Sequence, residues 1–331
     1  MKVSFIIVAY NAEKALDTSL RSLSGQDYPH DKIEVILVDG MSTDNTKQVM
    51  LYYQVSETTF NRIVVKDNPG KYLACGWNVA LNEAKGDVIL RVDAHTRFDK
   101  DFISNNIKVM KGGKSICGGK VVSLIENETP WNRLLLEAEN SMFGGGFTFF
   151  RRGETEKYTD TLAFAMYRKE VFDVVGRYDE RLVRTEDNEM HYRMRKAGYK
   201  FFFSPLIVSY RYSRSTIKSL LKQKYLNGFW VGLTMRVAPK AFSIAYFIPF
   251  GFVLAIIAGT LIIPIHYIPI VTLFILYGIV LLLSLFISFL KGFRQTNVLL
   301  LPFLLMGLHV SYGVGTLVGL LKMPFWLKKN K

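Results

Sequence analysis

The sequence predicts an α/β domain, a mainly parallel sheet with helices on both faces, followed by a C-terminal membrane helical region. Three observations carry this reading. Apolar strand-length runs alternate with helix-length segments through the first hundred residues, the pattern of a parallel sheet covered on both faces. Three long uncharged runs close the chain. The net charge of +14 is also partitioned: 17 Lys and Arg face 18 Asp and Glu in residues 1–150, 19 face 10 in residues 151–240, and 6 face none in residues 241–331. With half of its 331 residues hydrophobic, the chain is neither disordered nor collagen-like. Two cysteines exclude a disulfide scaffold and suit a reducing cytosol. A nearly neutral first half argues against a uniform basic coat, so no nucleic acid partner is expected.

Each element follows in order. Val3–Ala9 is a near-continuous apolar strand, cut off by Asn11 and Glu13 before it could serve as a signal peptide. Ala15, Leu16, Ser19, Leu20 and Leu23 give helical spacing over Ala12–Leu23. Glu34–Val38 is a second strand, and Ser42–Tyr53 a helix that Ser42 or Asp44 could cap. Arg62–Lys66 is a strand, Leu73–Ala84 a helix and Val88–Val92 a strand. Residues 1–215 thus form one domain. Residues 216–240 read as a basic amphipathic interfacial segment, with Ile217, Leu220, Leu221, Tyr225, Phe229 and Trp230 interspersed among Lys218, Lys222 and Lys224. A flank that merely sets membrane orientation is the plainer reading of the same charges.

Residues 241–331 hold two or three spans. The uncharged runs 242–264, 267–290 and 298–321 each exceed the roughly 20 residues that cross a bilayer. Lys and Arg precede the first run, are missing from the Ile265–His266 loop, and return at Lys291 and Arg294. That gives an inside start, an outside hairpin and an inside return. A third crossing would leave Lys322, Lys328, Lys329 and Lys331 outside. The run 298–321 therefore either breaks the charge rule or is re-entrant or interfacial, and both stay open.

Ligands of parallel sheets bind beyond the carboxyl ends of the strands, which selects Asn11, Asp39 and Asp93. Neither G-x-G-x-x-G after the first strand nor G-x-x-x-x-G-K-[ST] occurs, so a dinucleotide dehydrogenase and a P-loop nucleotidase are unsupported. Three constellations carry chemistry. In Val38-Asp39-Gly40-Met41-Ser42 the glycine admits a close ligand, and the carboxylate can accept hydrogen bonds from a base or ribose. In Arg91-Val92-Asp93-Ala94-His95 two ligand-type side chains leave a strand end, suited to a divalent cation on a diphosphate, with His95 better matched to Mn²⁺ than to Mg²⁺. In Arg184–Gly198 three acids open a helix that closes on basic residues, which complements the helix dipole. A carboxylate at its start could equally serve as a general base.

Together the segments SFIIVAYNAE, LVDGMSTDNT, NPGKYLACGWNVAL, GDVILRVDAHTRF and TLAFAMYRKEVFDVVGRYDERLVRTEDNEMHYRMRKAGYKFFFSP resemble the family-2 glycosyltransferases of GT-A type, over roughly residues 3–212. The nearest likeness is to membrane-bound exopolysaccharide enzymes of the succinoglycan type, in which a glycine-rich stretch like FGGGFTFFR also follows. The resemblance implies a GT-A-like (Rossmann-like) fold and places Tyr10, Glu13, Asp39, Lys71, Asn78 and Asp93 around a nucleotide-sugar. It implies Asp93 and His95 at a divalent cation, Mn²⁺ or Mg²⁺, with His95 standing where the wider family has a second Asp. Asp187 would be the catalytic base with Glu186 beside it, and His191, Arg195 and Gln223 would contact acceptor or diphosphate. Gln223 survives from the Q-x-x-R-W motif of processive synthases, but Leu226-Asn227 stands where Arg-Trp would be, which favours transfer of a single sugar. The implied activity is inverting transfer from a nucleotide-sugar, a UDP-sugar in the first instance, to a lipid-linked saccharide at the cytoplasmic face of the bilayer. Transfer to a polyprenyl phosphate is the second enzyme reading. An inactive membrane scaffold of a polysaccharide export complex is the reading from another class.

Overall fold

The computed structural model of the protein describes residues 1–141, 144, 149–151, 153–293 and 296–326. In chain order these form β1 (Val3–Ala9), α1 (Glu13–Ser24), β2 (Ile33–Asp39), α2 (Thr46–Ser56), β3 (Arg62–Asp67), α3 (Leu73–Glu83), β4 (Val88–Asp93), β5 (Thr96–Phe98), α4 (Phe102–Lys111) and β6 (Ile116–Leu124). Then come α5 (Pro130–Asn140), β7 (Lys157–Thr159), β8 (Met166–Arg168), α6 (Lys169–Val175), α7 (Glu186–Lys196) and β9 (Phe201–Tyr212). Four longer helices end the chain: α8 (Ile217–Thr234), α9 (Ile248–Ile262), α10 (Ile268–Leu290) and α11 (Leu301–Trp326). The chain divides into two compact units, Met1–Leu124 with Thr148–Tyr212, and Ile125–Phe147 with Ser213–Lys331.

The first unit is a mixed sheet in the order β3-β2-β1-β4-β8-β6-β9-β5, with β7 on β9. Its parallel part, β3-β2-β1-β4, is built from the alternating strands and helices that the sequence displays. Beyond β4 the pattern changes. β8 runs antiparallel between β4 and β6, and β5 and β7 are three-residue strands antiparallel to β9, too short to carry a sequence period.

Alternation sorts the strand residues onto two cores. Val3, Phe5 and Ile7 of β1, Val35 and Leu37 of β2 and Val88, Leu90 and Val92 of β4 enter one cluster with α1 and α4. Ile6, Val8, Ile36, Val38 and Ile89 enter the other with Ala74, Trp77 and Ala80 of α3 and Met190 and Met194 of α7. Arg91 shares the parity of Ile89 and so points into this second, largely apolar face. Strands β2 and β3 lie to one side of β1 and β4 to the other. The order therefore reverses beside β1, which opens a crevice at the carboxyl ends of the strands.

The second unit is helical. Three helical stretches, Ile244–Ile262, Ile268–Leu290 and Asn297–Trp326, are long and apolar enough to cross a membrane. α10 turns Ile275, Leu276, Ile279, Leu282 and Phe286 outward. α5 is capped by Thr129, whose side chain accepts from the Asn132 amide, and starts on Pro130. Its Leu134, Leu135 and Ala138 pack with Leu220 of α8 and Leu301, Leu304, Leu305 and Leu308 of α11. α8 and α11 approach through facing glycines. A Cβ on Gly228 would lie 2.0 Å from the Tyr312 carbonyl oxygen, one on Gly315 2.1 Å from that of Tyr225, and one on Gly319 2.1 Å from that of Phe229. Two G-x-x-x-G repeats, Gly228–Gly232 and Gly315–Gly319, thus form one crossing, the close backbone approach that small residues allow between helices.

Candidate active site

The carboxyl ends of β1 to β4 hold the polar residues selected above. Loops after β1 and β2 are stitched together. The Asn11 amide donates to Ser42 Oγ at 3.0 Å, Asn11 Oδ1 accepts from the Thr43 amide at 2.8 Å, and the Ala12 amide donates to Thr46 Oγ1 at 2.7 Å. Asp39, buried at the end of β2, accepts from the Ser42 amide at 3.1 Å, and its carbonyl accepts from Asn68 at 2.7 Å. A Cβ at Gly40 would sit 3.2 Å from Ala9 O and Tyr10 Cβ and 3.4 Å from Lys71 O. The structure therefore gathers Tyr10, Asp39 and Lys71 on one rim, with Glu13 accepting from Asn45 beside it. Tyr10, Met41 and Tyr72 are large apolar side chains left exposed there. Met41 and Tyr72 follow no strand directly and carry no charge, so the sequence alone does not single them out.

Backbone strain marks the same places. Asn11, Met41, Lys71, Phe164 and Thr185 have positive φ (47–66°) without being glycine. Asn11, Met41 and Lys71 lie in the loops after the parallel strands β1, β2 and β3, and Thr185 precedes α7. Such residues cost of order 1–3 kcal/mol each and gather where function fixes a loop.

At the end of β4, Asp93 Oδ2 and His95 Nε2 lie 3.9 Å apart on partly exposed side chains. Two donors on one ion at about 2.1 Å stand roughly 3.0–3.4 Å from each other in octahedral or tetrahedral geometry, so these two side chains would have to close by about half an ångström to share one divalent cation. No group of three His, Cys, Asp or Glu converges among the described residues. The remaining positions would fall to water and diphosphate oxygens, the usual arrangement for hard cations.

The start of α7 supplies the carboxylates. Asp187 Oδ1 lies 2.5 Å from Arg91 Nη2; the arginine side chain is 7% exposed and the aspartate 38%. Burial pushes the Asp187 carboxyl up, and the Arg91 guanidinium, by charge and hydrogen bond, outweighs it, so the group stays below the usual carboxylate range. Glu186 is buried, and burial followed by the Asp187 charge pushes it well above that range, with Asp93 adding in the same direction. The two adjacent acids are therefore pushed in opposite directions, Asp187 toward its ionised form and Glu186 toward its neutral form. The ion pair went unread in the sequence because its partners stand 96 positions apart. The available signal was an Arg inside the apolar strand Val88–Asp93, since a buried charge requires a partner.

Three expected contacts change character. His191 is fully buried, with Nδ1 2.8 Å from Thr161 Oγ1, Nε2 3.0 Å from Tyr167 Oη, and its ring edge-on to Phe201. It is a core residue and does not reach an acceptor, because α7 turns this position inward. Asn78 is likewise spent on structure. Its Nδ2 donates to Tyr178 O at 2.9 Å and Glu180 Oε1 at 2.8 Å, and its Oδ1 accepts from the Tyr178 amide at 2.9 Å. Arg195 donates to the Asp160 carbonyl. Gln223 belongs to α8 of the second unit. The glycine-rich FGGGFTFFR stretch lies largely outside the described residues.

Burial lowers His191 to about 3, so it stays neutral when folded. Its folded value lies below its ordinary 6.5, so its contribution is present above pH 6.5 and is lost as pH falls toward 3. His191→Gln is expected to remove that acid sensitivity, seen as a flatter dependence of melting temperature between pH 6.5 and 4, with acceptor KM unchanged. A several-fold rise in acceptor KM would restore a contact role.

A model of the glycosyl transferase family 2 matches residues 4–176, just over half of the chain. The chain is 28% identical to the dolichyl N-acetyl-alpha-D-glucosaminyl phosphate 3-beta-D-2,3-diacetamido-2,3-dideoxy-beta-D-glucuronosyltransferase of Methanococcus voltae over 97% of each chain. It is 28% identical to the succinoglycan biosynthesis protein ExoA of Rhizobium meliloti over 70% of this chain and 72% of that one. Among solved structures, the mannosyltransferase PcManGT of Pyrobaculum calidifontis, in complex with GDP-Man and Mn²⁺, aligns over 96% of this chain and 87% of its own. The TM-score is 0.65 at 16% identity, a likeness of fold.

Proposed function

The chain belongs to glycosyl transferase family 2, and from that premise we propose that it moves one sugar, with inversion, from a nucleotide-sugar to a lipid-linked saccharide. The observation that carries the proposal is the carboxylate of Asp187, kept ionised by a buried arginine yet 38% exposed. Asp187 takes the proton of an acceptor hydroxyl, whose oxygen forms a bond to the anomeric carbon as the bond to the departing nucleoside diphosphate breaks. Attack opposite the leaving group inverts the centre. Tyr10, Asp39 and Lys71 hold the nucleotide on the rim of β1 to β3. Asp93 and His95 would hold a divalent cation, which when bound neutralises charge on the leaving diphosphate. The Mn²⁺ in the PcManGT complex supports this assignment.

A lipid-linked saccharide is favoured over a bare polyprenyl phosphate because the relative matching over nearly its full length is named for a dolichyl sugar phosphate. The apolar helices suit a multi-pass membrane position with the catalytic unit on the cytoplasmic side. The test is an assay on membrane fractions, pairing radiolabelled UDP- and GDP-sugars with extracted lipid-linked saccharides and with polyprenyl phosphate, each with and without Mn²⁺ or Mg²⁺. Label should enter the lipid-linked saccharide. Label in polyprenyl phosphate alone supports the second acceptor, and failure to bind any sugar nucleotide supports a scaffold.

Asp93→Asn is expected to raise the Mn²⁺ concentration for half-maximal turnover at least 10–100-fold, the scale on which even outer-shell partners act. An unchanged metal titration removes Asp93 from the cation.

A further inference from the structure

We propose that Arg91 is the positioning residue of the transfer, the buried cation that aims the Asp187 carboxylate at the acceptor. The inference rests on Asp187 being the base. Arg91 is an arginine in apolar company. Strand parity sends Arg91 to the face occupied by Ile89, Trp77, Met190 and Met194, where an aliphatic side chain would pack without a desolvation penalty. A guanidinium stays charged and carries five N–H donors in a fixed plane. Its burial is tolerable only where partners surround it.

The partners form a rigid frame. Arg91 Nη1 donates to Tyr178 Oη at 3.0 Å, and Nη2 meets Asp187 Oδ1 at 2.5 Å. The guanidinium lies 4.9 Å from the ring centre of Trp77 and 5.4 Å from that of Tyr178, within reach of cation–π attraction. Tyr178 is itself fixed, because Asn78 of α3 bonds both its amide and its carbonyl at 2.9 Å. Strand β4, helix α3 and the loop before α7 thus converge on one cation, and the cation on one carboxylate. This also gives Asn78 a use that replaces the ligand contact expected of it.

The asymmetry of the pair separates positioning from plain stability. A structural ion pair in a core buries both members. Here the arginine side chain is 7% exposed and the aspartate side chain 38%, with the Oδ1 that meets Arg91 buried, so the charge is held behind and the remainder of the acid side chain is presented. Thr185, in left-handed conformation at φ 66°, sets the turn that leads into this helix. Asp187 is faced by Glu186 and His191 from its own helix, by Arg91 from β4, by Tyr167 from β8 and by Tyr178 from the preceding loop. Of these, Arg91 is the cation that touches it.

Two consequences pull in opposite directions. The arginine makes the carboxylate less basic, and it fixes where the proton is received. Arg91→Met is expected to lower kcat by roughly 10–100-fold through misplacement, to leave donor KM within about threefold, and to move the acid limb of the kcat profile to higher pH. Tyr178→Phe keeps the ring and loses one hydrogen bond, so it should show the same shifts at smaller size with a folded protein. Arg91→Lys should recover the limb but not the full rate, since an ammonium lacks the planar fork. The measurement is a pH–rate profile per folded enzyme for wild type and the three variants, alongside Asp187→Asn. If Arg91→Met and Tyr178→Phe lose activity only in proportion to unfolded protein, with the acid limb unmoved, the positioning role is overturned while an inactive Asp187→Asn leaves the base intact. If Asp187→Asn turns over normally, base and positioning residue fall together.

Discussion

Asp187→Asn should lower turnover by roughly 10²–10⁴-fold, the range over which a positioned base contributes, while nucleotide-sugar affinity stays within a few-fold of wild type. An amide has the same shape as the carboxylate but cannot take the acceptor proton. Arg91 keeps Tyr178 and two aromatic faces after the change, so the second core has no reason to collapse. The check pairs steady-state transfer to a lipid-linked saccharide with calorimetric titration of the sugar nucleotide. Retention of turnover within a few-fold, in a folded protein that binds donor normally, would sink the base assignment. Glu186→Gln gives a useful contrast: burial and the Asp187 charge push Glu186 toward its neutral form, so the amide should leave far more activity than the Asp187 change does.

Gly315→Leu should produce the largest structural effect. Its Cβ alone would stand 2.1 Å from the Tyr225 carbonyl oxygen and 3.0 Å from the Phe229 nitrogen. Both are backbone atoms, so relief requires α8 and α11 to separate rather than a rotamer to change. Core overpacking costs about 1–3 kcal/mol where side chains can give way, and this crossing lacks that escape at Gly228, Gly315 and Gly319 alike. Thermal unfolding in detergent should fall by several degrees or the variant should fail to purify as a monodisperse species. Gly278→Leu on α10 is the control, because nothing lies within 4 Å of a Cβ there, and its melting temperature should match wild type. Equal stability of both variants would show that the crossing does not hold this unit together.

The parallel half of the sheet was legible because its strands, such as Val3–Ala9 and Ile33–Asp39, are buried along their whole length and their helices carry a single apolar stripe. β5, β7 and β8 were not, since three residues cannot display a period and their pairing is set by β9 and β4 from far along the chain. Within the site, Asp39 and Asp93 announced themselves by following strands. His191 misled, because a helix rich in charge hides which of its positions turns inward, and only the contacts to Thr161 and Tyr167 reveal it. The facing G-x-x-x-G repeats were present in the sequence but stand 87 positions apart, and a repeat read singly does not name its partner.

The excursion 125–147 has a practical consequence for anyone seeking a soluble catalytic fragment. The chain passes from one unit to the other three times, after 124, after 147 and after 212, so no single cut releases the sheet. A fragment ending before α8 would still carry α5, with Leu134, Leu135 and Ala138 stripped of the α8 and α11 residues that cover them. That bare stripe invites aggregation. Excising 125–147 and rejoining the ends with a short flexible linker, in addition to trimming the tail, is the design that leaves the catalytic sheet without an orphaned helix.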